Sequence, residues 1–242
     1  MRQIKRRHKL PEPYFQTELG KLYHADCRDI LPCLDADNLI ILADPPYNYN
    51  IQYLSHNDNM TDKEYQQWIK SWWEVIPTKR KIIFIGTGNQ RFWYHLNPTA
   101  TACWYKKGNP KSGNPFQWNE WEPILVWNVS FRLSDVITQS ITISKKEVEI
   151  HPCPKPLKLL IQLVSRIRSK GIICDPFSGS GKTAAACEIL GRQWIAVEKE
   201  KEYCEDSVKR IQKEVMLKKT KNKANIFLKP KKVKRNHNSI LA

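Results

Sequence analysis

No apolar run in this 242-residue chain is long enough to span a bilayer, and the opening Met1-Arg2-Gln3-Ile4-Lys5-Arg6-Arg7 lacks the apolar stretch of a signal peptide. A cytoplasmic location with no membrane partner is the expectation. Nor is there a Cys-x-x-Cys pair. The seven cysteines, Cys27, Cys33, Cys103, Cys153, Cys174, Cys187 and Cys204, are odd in number and scattered, with no histidine at zinc-finger spacing. That pattern argues for reduced structural thiols and against a bound metal. The length excludes two full domains but allows one well-buried α/β domain. The body of the chain also lacks net charge. The formal charge of +16 is carried by five Arg or Lys in residues 1–9 and by twelve, against one acid, in residues 209–235, which leaves residues 10–208 neutral overall. Two polybasic arms on a neutral domain suit contact with phosphates at low sequence specificity, the alternative being solvated appendages that aid solubility.

What is present centres on Asp44-Pro45-Pro46-Tyr47, which follows directly on Leu39-Ile40-Ile41-Leu42-Ala43. A continuous apolar run of that length reads as a strand buried on both faces, and open α/β sheets place their ligands at the carboxyl ends of such strands. The two prolines have no N–H for a ladder and hold φ near −65°, so the chain leaves the sheet stiffly with its carbonyls in set directions. A carboxylate, a rigid carbonyl and an aromatic face then lie within four residues. A planar amine on a flat ring would fit that frame, with two acceptors for its hydrogens and Tyr47 to stack on the ring. The competing reading is a proline-rich turn after a core strand.

Around this centre the pattern alternates strands and helices. Residues 22–25 read as a strand ending at Asp26, beside the central one and on its carboxyl edge, and residues 27–34 as a short helix that Asp26 could cap. Residues 62–76 have helical periodicity through Tyr65, Trp68, Ile69, Trp72 and Trp73, an aromatic face read as core rather than as a base-stacking platform. Strands follow at residues 81–86, 101–105 and 123–127, with a short helix over 89–96. Residues 106–127 combine Lys106, Lys107 and Lys111 with turn formers, Phe116, Trp118 and Trp121, as a nucleic-acid-facing loop would, although a hairpin with surface lysines also accounts for them.

His151-Pro152-Cys153-Pro154-Lys155-Pro156 is a rigid entry to an amphipathic helix over residues 157–167. A second focal stretch then runs from a strand at residues 171–174 through Asp175-Pro176-Phe177-Ser178-Gly179-Ser180-Gly181 to a helix at residues 182–190. Strand, glycine-rich turn and helix make a ligand cradle, where glycine permits close backbone approach and the helix N-terminus favours an anionic group. The next strand, residues 194–197, ends at Glu198, where such folds hydrogen-bond ribose hydroxyls. Gly179-Ser180-Gly181-Lys182-Thr183 is not a nucleotide-triphosphate P-loop, because Pro176 stands where that motif requires glycine.

Taken in order, Asp26, Asp44-Pro45-Pro46-Tyr47, His151-Pro152-Cys153-Pro154-Lys155-Pro156, Asp175-Pro176-Phe177-Ser178-Gly179-Ser180-Gly181 and Glu198 resemble the S-adenosylmethionine-dependent DNA amino-methyltransferases. The likeness is to the permuted group of N6-adenine and N4-cytosine enzymes in which the catalytic tetrapeptide precedes the cofactor loop. It covers about residues 20–210. The resemblance implies a Rossmann-like α/β fold with a mostly parallel seven-stranded sheet whose last-placed strand is antiparallel. It also implies a methyltransferase domain over residues 20–210 with a DNA-recognition region at 106–150; it does not explain the basic arm over residues 1–19 or the basic tail over 211–242, which are read from the charge distribution alone. By the same resemblance Asp44, Pro45, Pro46 and Tyr47 are catalytic. Asp175, Phe177, Gly179 and Gly181 hold the methionine part of S-adenosylmethionine, Glu198 its ribose and Asp26 its adenine amine, while His151, Lys155 and Pro156 lie against the methionine end. The implied partner is double-stranded DNA with a flipped base, with a homodimer left open and no metal. The implied reaction is site-specific methylation of adenine N6 in a restriction-modification setting, since cytosine-N4 members more often carry Ser in place of Asp44. The alternatives are cytosine N4, an RNA or protein substrate on the same frame, or an inactive DNA-binding subunit.

Overall fold

A computed structural model describes residues 9–54, 58–106, 120–141 and 154–227. The central pentapeptide forms strand β3 (Leu39–Ala43), buried at every position. Side chains alternate across a strand, and β3 shows it. Leu39, Ile41 and Ala43 pack in one cluster with Tyr65, Ile69 and Trp72, whereas Ile40 and Leu42 pack in another with Leu159, Leu163 and Val164. The sheet is therefore the middle of three layers.

In chain order the elements are β1 (Phe15–Gln16), β2 (Gly20–His24), α1 (Cys27–Ile30), β3, α2 (Asp62–Trp73), β4 (Lys81–Phe84), β5 (Ala100–Tyr105), β6 (Trp121–Trp127), β7 (Val136–Thr138), α3 (Leu157–Arg166), β8 (Ile172–Asp175), α4 (Lys182–Leu190), β9 (Trp194–Glu198) and α5 (Lys201–Phe227). Helix α2 starts where the sequence predicts, because Thr61 and Glu64 form a reciprocal capping box. Residues 89–96 do not make a regular α-helix. They lie in two 3₁₀ turns, Thr87–Phe92 and Tyr94–Leu96, the second ended by Asn97 in the left-handed region.

The strand order is β1-β2-β9-β8-β3-β4-β6-β5-β7. This corrects the expectation of seven strands to nine among the described residues. The end strands β1 and β7 are short, two and three residues long, and nothing in so brief a stretch marks it as a strand. Strands β2, β9, β8, β3 and β4 are mutually parallel. Strand β6 runs antiparallel to both its neighbours, β4 and β5, and sits inside the sheet rather than at its edge. A second correction concerns Asp26. Its strand β2 is not beside β3, because β9 and β8, from the far end of the chain, lie between them. Strand β1 falls within the stretch assigned to the basic arm, and α5 continues past residue 210 to Phe227.

The sheet's support from both layers makes β3 sensitive to truncation. Ile41 is fully buried, so Ile41→Ala should cost about 2–5 kcal/mol through lost apolar transfer and the cavity left behind. Urea unfolding with an unchanged slope checks this; a loss below about 1 kcal/mol would mean that the layer collapses to fill the gap.

Candidate active site

Parallel neighbours bring their carboxyl ends to one edge, and four adjacent strands here end in an acid. Along that edge stand Asp26 just past β2, Glu198 at the end of β9, Asp175 at the end of β8 and Asp44 just past β3. All four border one cavity of about 450 Å³, within the range of small-ligand sites.

At one end of the cavity lies the tetrapeptide. Asp44 accepts a hydrogen bond from the Tyr47 hydroxyl at 2.9 Å and two from the Lys155 ammonium, at 2.7 Å on Oδ1 and 2.9 Å on Oδ2. The carbonyls that follow are held apart by different partners. Pro46 accepts from the Tyr65 hydroxyl at 2.9 Å, and Tyr47 accepts from the Asn89 amide. The Pro45 carbonyl accepts no hydrogen bond from the described residues, so it is left open, unlike those of Pro46 and Tyr47. Burial, with the Asp44 charge adding to it, raises the Tyr47 phenol well above its ordinary range, so it acts as a donor. Beyond the tetrapeptide the chain turns through Asn48 and Asn50 at positive φ. Buried Asp58 ties the turn down by accepting from the Tyr49 and Ile51 amides, and the Gly88 amide donates to the Tyr49 hydroxyl at 2.8 Å. Tyr49 stands edge-on to Tyr47 with centroids 5.9 Å apart.

At the other end lies the glycine-rich loop, which Glu198 pins. Its Oε2 accepts from the Gly179 amide at 2.6 Å and its Oε1 from the Glu200 amide at 2.8 Å, leaving lone pairs on both oxygens. Burial lifts its carboxyl above the ordinary range despite those bonds. Gly179 and Gly181 both have positive φ. At Gly181 a Cβ would also stand 2.7 Å from the Ser207 Oγ, so glycine is required twice over, and the loop closes onto α5 through the Ser207 hydroxyl, which donates to the Gly179 carbonyl. Phe177 rests against Trp72 and Trp68, at 5.0 and 5.7 Å. Trp68 and buried Trp72 both border the cavity, while Tyr65 is core, as the helical face predicts. Asp26 caps α1 and holds the Arg28 guanidinium, whose hydrogen bonds keep its carboxyl below the ordinary range.

Of the residues singled out in the sequence, Asp26, Asp44, Pro45, Pro46, Tyr47, Lys155, Asp175, Phe177, Gly179 and Glu198 line the cavity. Pro156 and Gly181 do not; they stand at the N-cap positions of α3 and α4. His151, Cys153, most of the loop over residues 106–121 and the ends of both basic arms lie outside the described residues. Lys155 directs its ammonium at Asp44. Lys106, expected on a nucleic-acid-facing loop, is buried and pairs with Glu122 of β6 at 3.1 Å. The roles of Tyr65, Asn89 and Glu122 carry no sequence signal, because each contact joins segments remote in the chain. Among the described residues no three His, Cys, Asp or Glu side chains are grouped to hold a metal ion, and no helix is long and apolar enough to cross a membrane.

The family model of the N6/N4 DNA methylases matches residues 87–209, half of the chain. The chain belongs to this family. Among its relatives, the Type II methyltransferase M2.LlaDCHI of Lactococcus lactis subsp. cremoris is 27% identical, with 84% of this chain and 93% of that protein aligned. M2.DpnII of Streptococcus pneumoniae is 26% identical over 85% and 94%. M.BamHI of Bacillus amyloliquefaciens is also 26% identical, and the aligned region spans 56% of its length. In fold the chain is similar to the M1.HpyAVI–SAM complex, with TM-score 0.60, 22% identity and coverage of 80% of this chain and 99% of that one. It is also similar to PvuII DNA methyltransferase, described as cytosine-N4-specific, with TM-score 0.65, 18% identity and coverage of 82% and 88%. A DNA methylase of this family uses S-adenosylmethionine to methylate an exocyclic amine.

The cavity's residues fit that cofactor. Its sulfonium and ammonium are cations, and the cavity edge offers a row of carboxylates. The Ser178 Oγ, bordering the cavity, is buried without a hydrogen-bond partner among the described residues, as a group awaiting a polar ligand would be.

Asp175 makes the acid row testable without any ligand. Burial lifts its carboxyl to about 7, against hydrogen bonds from Thr183 and the Phe177 amide. Between about pH 4, where an unfolded Asp titrates, and about pH 7 the folded protein keeps a proton that the unfolded chain has released, so stability falls as pH rises through that window. Asp175→Asn should flatten this fall, read from urea midpoints at about pH 5 and about pH 8. Equal pH dependence in the two proteins would mean that Asp175 ionises as an ordinary carboxyl.

Proposed function

We propose that this chain methylates the N6 amine of adenine in double-stranded DNA, working in the cytoplasm on a base flipped out of the duplex. The observation that carries the reading is the pair of acceptors at the cavity's end, the Asp44 carboxylate and the open Pro45 carbonyl. An exocyclic amine is a poor nucleophile, because its lone pair is conjugated with the ring. Asp44 and Pro45, by accepting its two hydrogens, draw the nitrogen toward tetrahedral geometry and aim the lone pair along the cavity. When bound, S-adenosylmethionine would supply an electrophilic methyl group, with its sulfur as the leaving group. Asp44 takes the proton that the nitrogen then sheds. Tyr47 stacks on the base, which cannot be reached inside the helix and must leave it.

Along the acid row, Glu198 receives the ribose hydroxyls on its remaining lone pairs and Asp26 the adenine amine of the cofactor. Asp175, Phe177 and Gly179 cradle the methionine part, with Gly181 and Pro156 shaping the turns behind it. Adenine is preferred to cytosine N4 because an acid, not a serine, opens the tetrapeptide; the fold it shares with a cytosine-N4-specific enzyme keeps cytosine as the second reading. Single-molecule sequencing of DNA from cells expressing the protein reports which base is modified. Methylcytosine alone would reverse the preference.

Asp44→Ala should abolish methyl transfer and leave cofactor affinity nearly unchanged, because Asp44 faces the amine. A loss of cofactor affinity as large as that of Glu198→Ala would remove Asp44 from this role. Tyr47→Ala should weaken capture of the flipped base by about 1–3 kcal/mol, the scale of base–aromatic stacking. Duplex DNA methylated by that variant at the wild-type rate would take Tyr47 out of the site.

A further inference from the structure

Lys155 carries its ammonium to both groups assigned to the target base. Its Nζ lies 2.7 and 2.9 Å from the two oxygens of Asp44 and 4.8 Å from the centroid of Tyr47. Phe84 and Trp104 complete a cage around it, at 5.4 and 5.9 Å. With the Tyr47 hydroxyl also on Oδ1, three of the roughly four lone-pair sites of Asp44 are occupied. An incoming amine must therefore compete with a cation for the oxygens it needs.

Across the cage stands Glu122 on β6. Its Oε1 accepts from Lys106 at 3.1 Å, while its Oε2 is buried with no hydrogen bond from the described residues and forms only a long ion pair, 3.8 Å, with the Lys155 Nζ. A buried carboxylate oxygen without a hydrogen bond is unfavourable and calls for a reason. Glu122 does not border the cavity, so a ligand there does not reach it, but Lys155 does.

We propose that Lys155 is a shared ammonium, moving from Asp44 to the Glu122 Oε2 as the target amine arrives, and that Glu122 is a positioning residue acting on Asp44 through Lys155. The proposal rests on the reading of Asp44 as the amine acceptor. The displacement is about 1 Å to reach hydrogen-bond distance, and it stays within the aromatic cage. No bond forms or breaks and no proton changes owner; two carboxylates and two ammoniums are present before and after. Before the base enters, the half-buried Asp44 carboxylate is compensated by Lys155 rather than left as a lone charge. Afterwards its freed lone pairs face the amine, and both Glu122 oxygens are paired, one to each lysine.

Glu122→Gln tests this, because it keeps the side chain's size and an oxygen for Lys106 but removes the charge that would receive Lys155. Single-turnover methylation of genomic DNA from a methylation-free host should slow by about 10- to 100-fold, with cofactor affinity unchanged. Placed in a Lys155→Met protein, the same substitution should cause no slowing, since there is no ammonium to receive. Equal slowing in both backgrounds, or a wild-type rate for Glu122→Gln, overturns the proposal. Should either variant fail to fold or turn over, the wild-type structure with duplex DNA and a non-reactive cofactor analogue decides. Lys155 nearer to Glu122 than to Asp44 supports the handover, and Lys155 still hydrogen-bonded to both Asp44 oxygens overturns it. Full activity in Asp44→Ala would instead sink the reading of Asp44 itself, whereas an inactive Asp44→Ala beside an unimpaired Glu122→Gln sinks only the handover.

Discussion

Parallel pairing of β2, β9, β8 and β3 is the constraint on which the rest of this molecule depends. In a parallel set all carboxyl ends point the same way, so four residues scattered from position 26 to position 198 become neighbours along one edge. Each could cap a turn unremarkably on its own. Side by side they make a cavity whose chemistry is set by carboxylates, and the rise of the Asp175 and Glu198 carboxyls above their ordinary range follows from burial, to which the charges of Asp44 and Glu198 add at Asp175. The backbone amides of Gly179 and Glu200 offset part of the cost at Glu198, which is why the glycine-rich turn and that acid occur together.

The core that permits this edge was the most legible part of the chain. Residues 39–43 are apolar without interruption, and only a strand covered on both faces explains them; their burial and their division between two helix layers follow from period-two geometry alone. Helix α2 was equally plain from its aromatic face and its Thr61 cap. Strand order was not legible. The placement of β8 and β9 between β2 and β3 is decided by packing of segments more than 130 residues apart, and no local pattern records it. The short edge strands were invisible for a different reason, since two or three residues cannot display a period.

The candidate site divides in the same way. Groups that act through local geometry were found by pattern: the stiff proline turn at Asp44, the glycines at positive φ and the acid closing β9. Groups that act through contact were not. Tyr65 reads as core from its helical spacing, and its ring is core, yet its hydroxyl fixes the Pro46 carbonyl. Asn89 lies in a stretch expected to be a plain helix, and it secures the Tyr47 carbonyl. Together they occupy the Pro46 and Tyr47 carbonyls, while that of Pro45 stays open.

Lys155 shows how far a motif can carry. Its place in a proline-flanked segment is a matter of sequence, and so is the expectation that it lies in the site. Where its ammonium goes is a matter of the 111 residues separating it from Asp44 and of the cage built by β4, β5 and the tetrapeptide. A lysine so enclosed is held by aromatic faces as well as by charge, which lets it keep a favourable environment while it changes carboxylate partners. Residues that only position a reactive group leave no spacing signature, because any segment reaching the same point with the same charge would serve. The half-buried Glu122 carboxylate, with its buried Oε2 lacking a hydrogen bond, is therefore visible only once the sheet has brought β6 beside β4, and it is an interior antiparallel strand that delivers it.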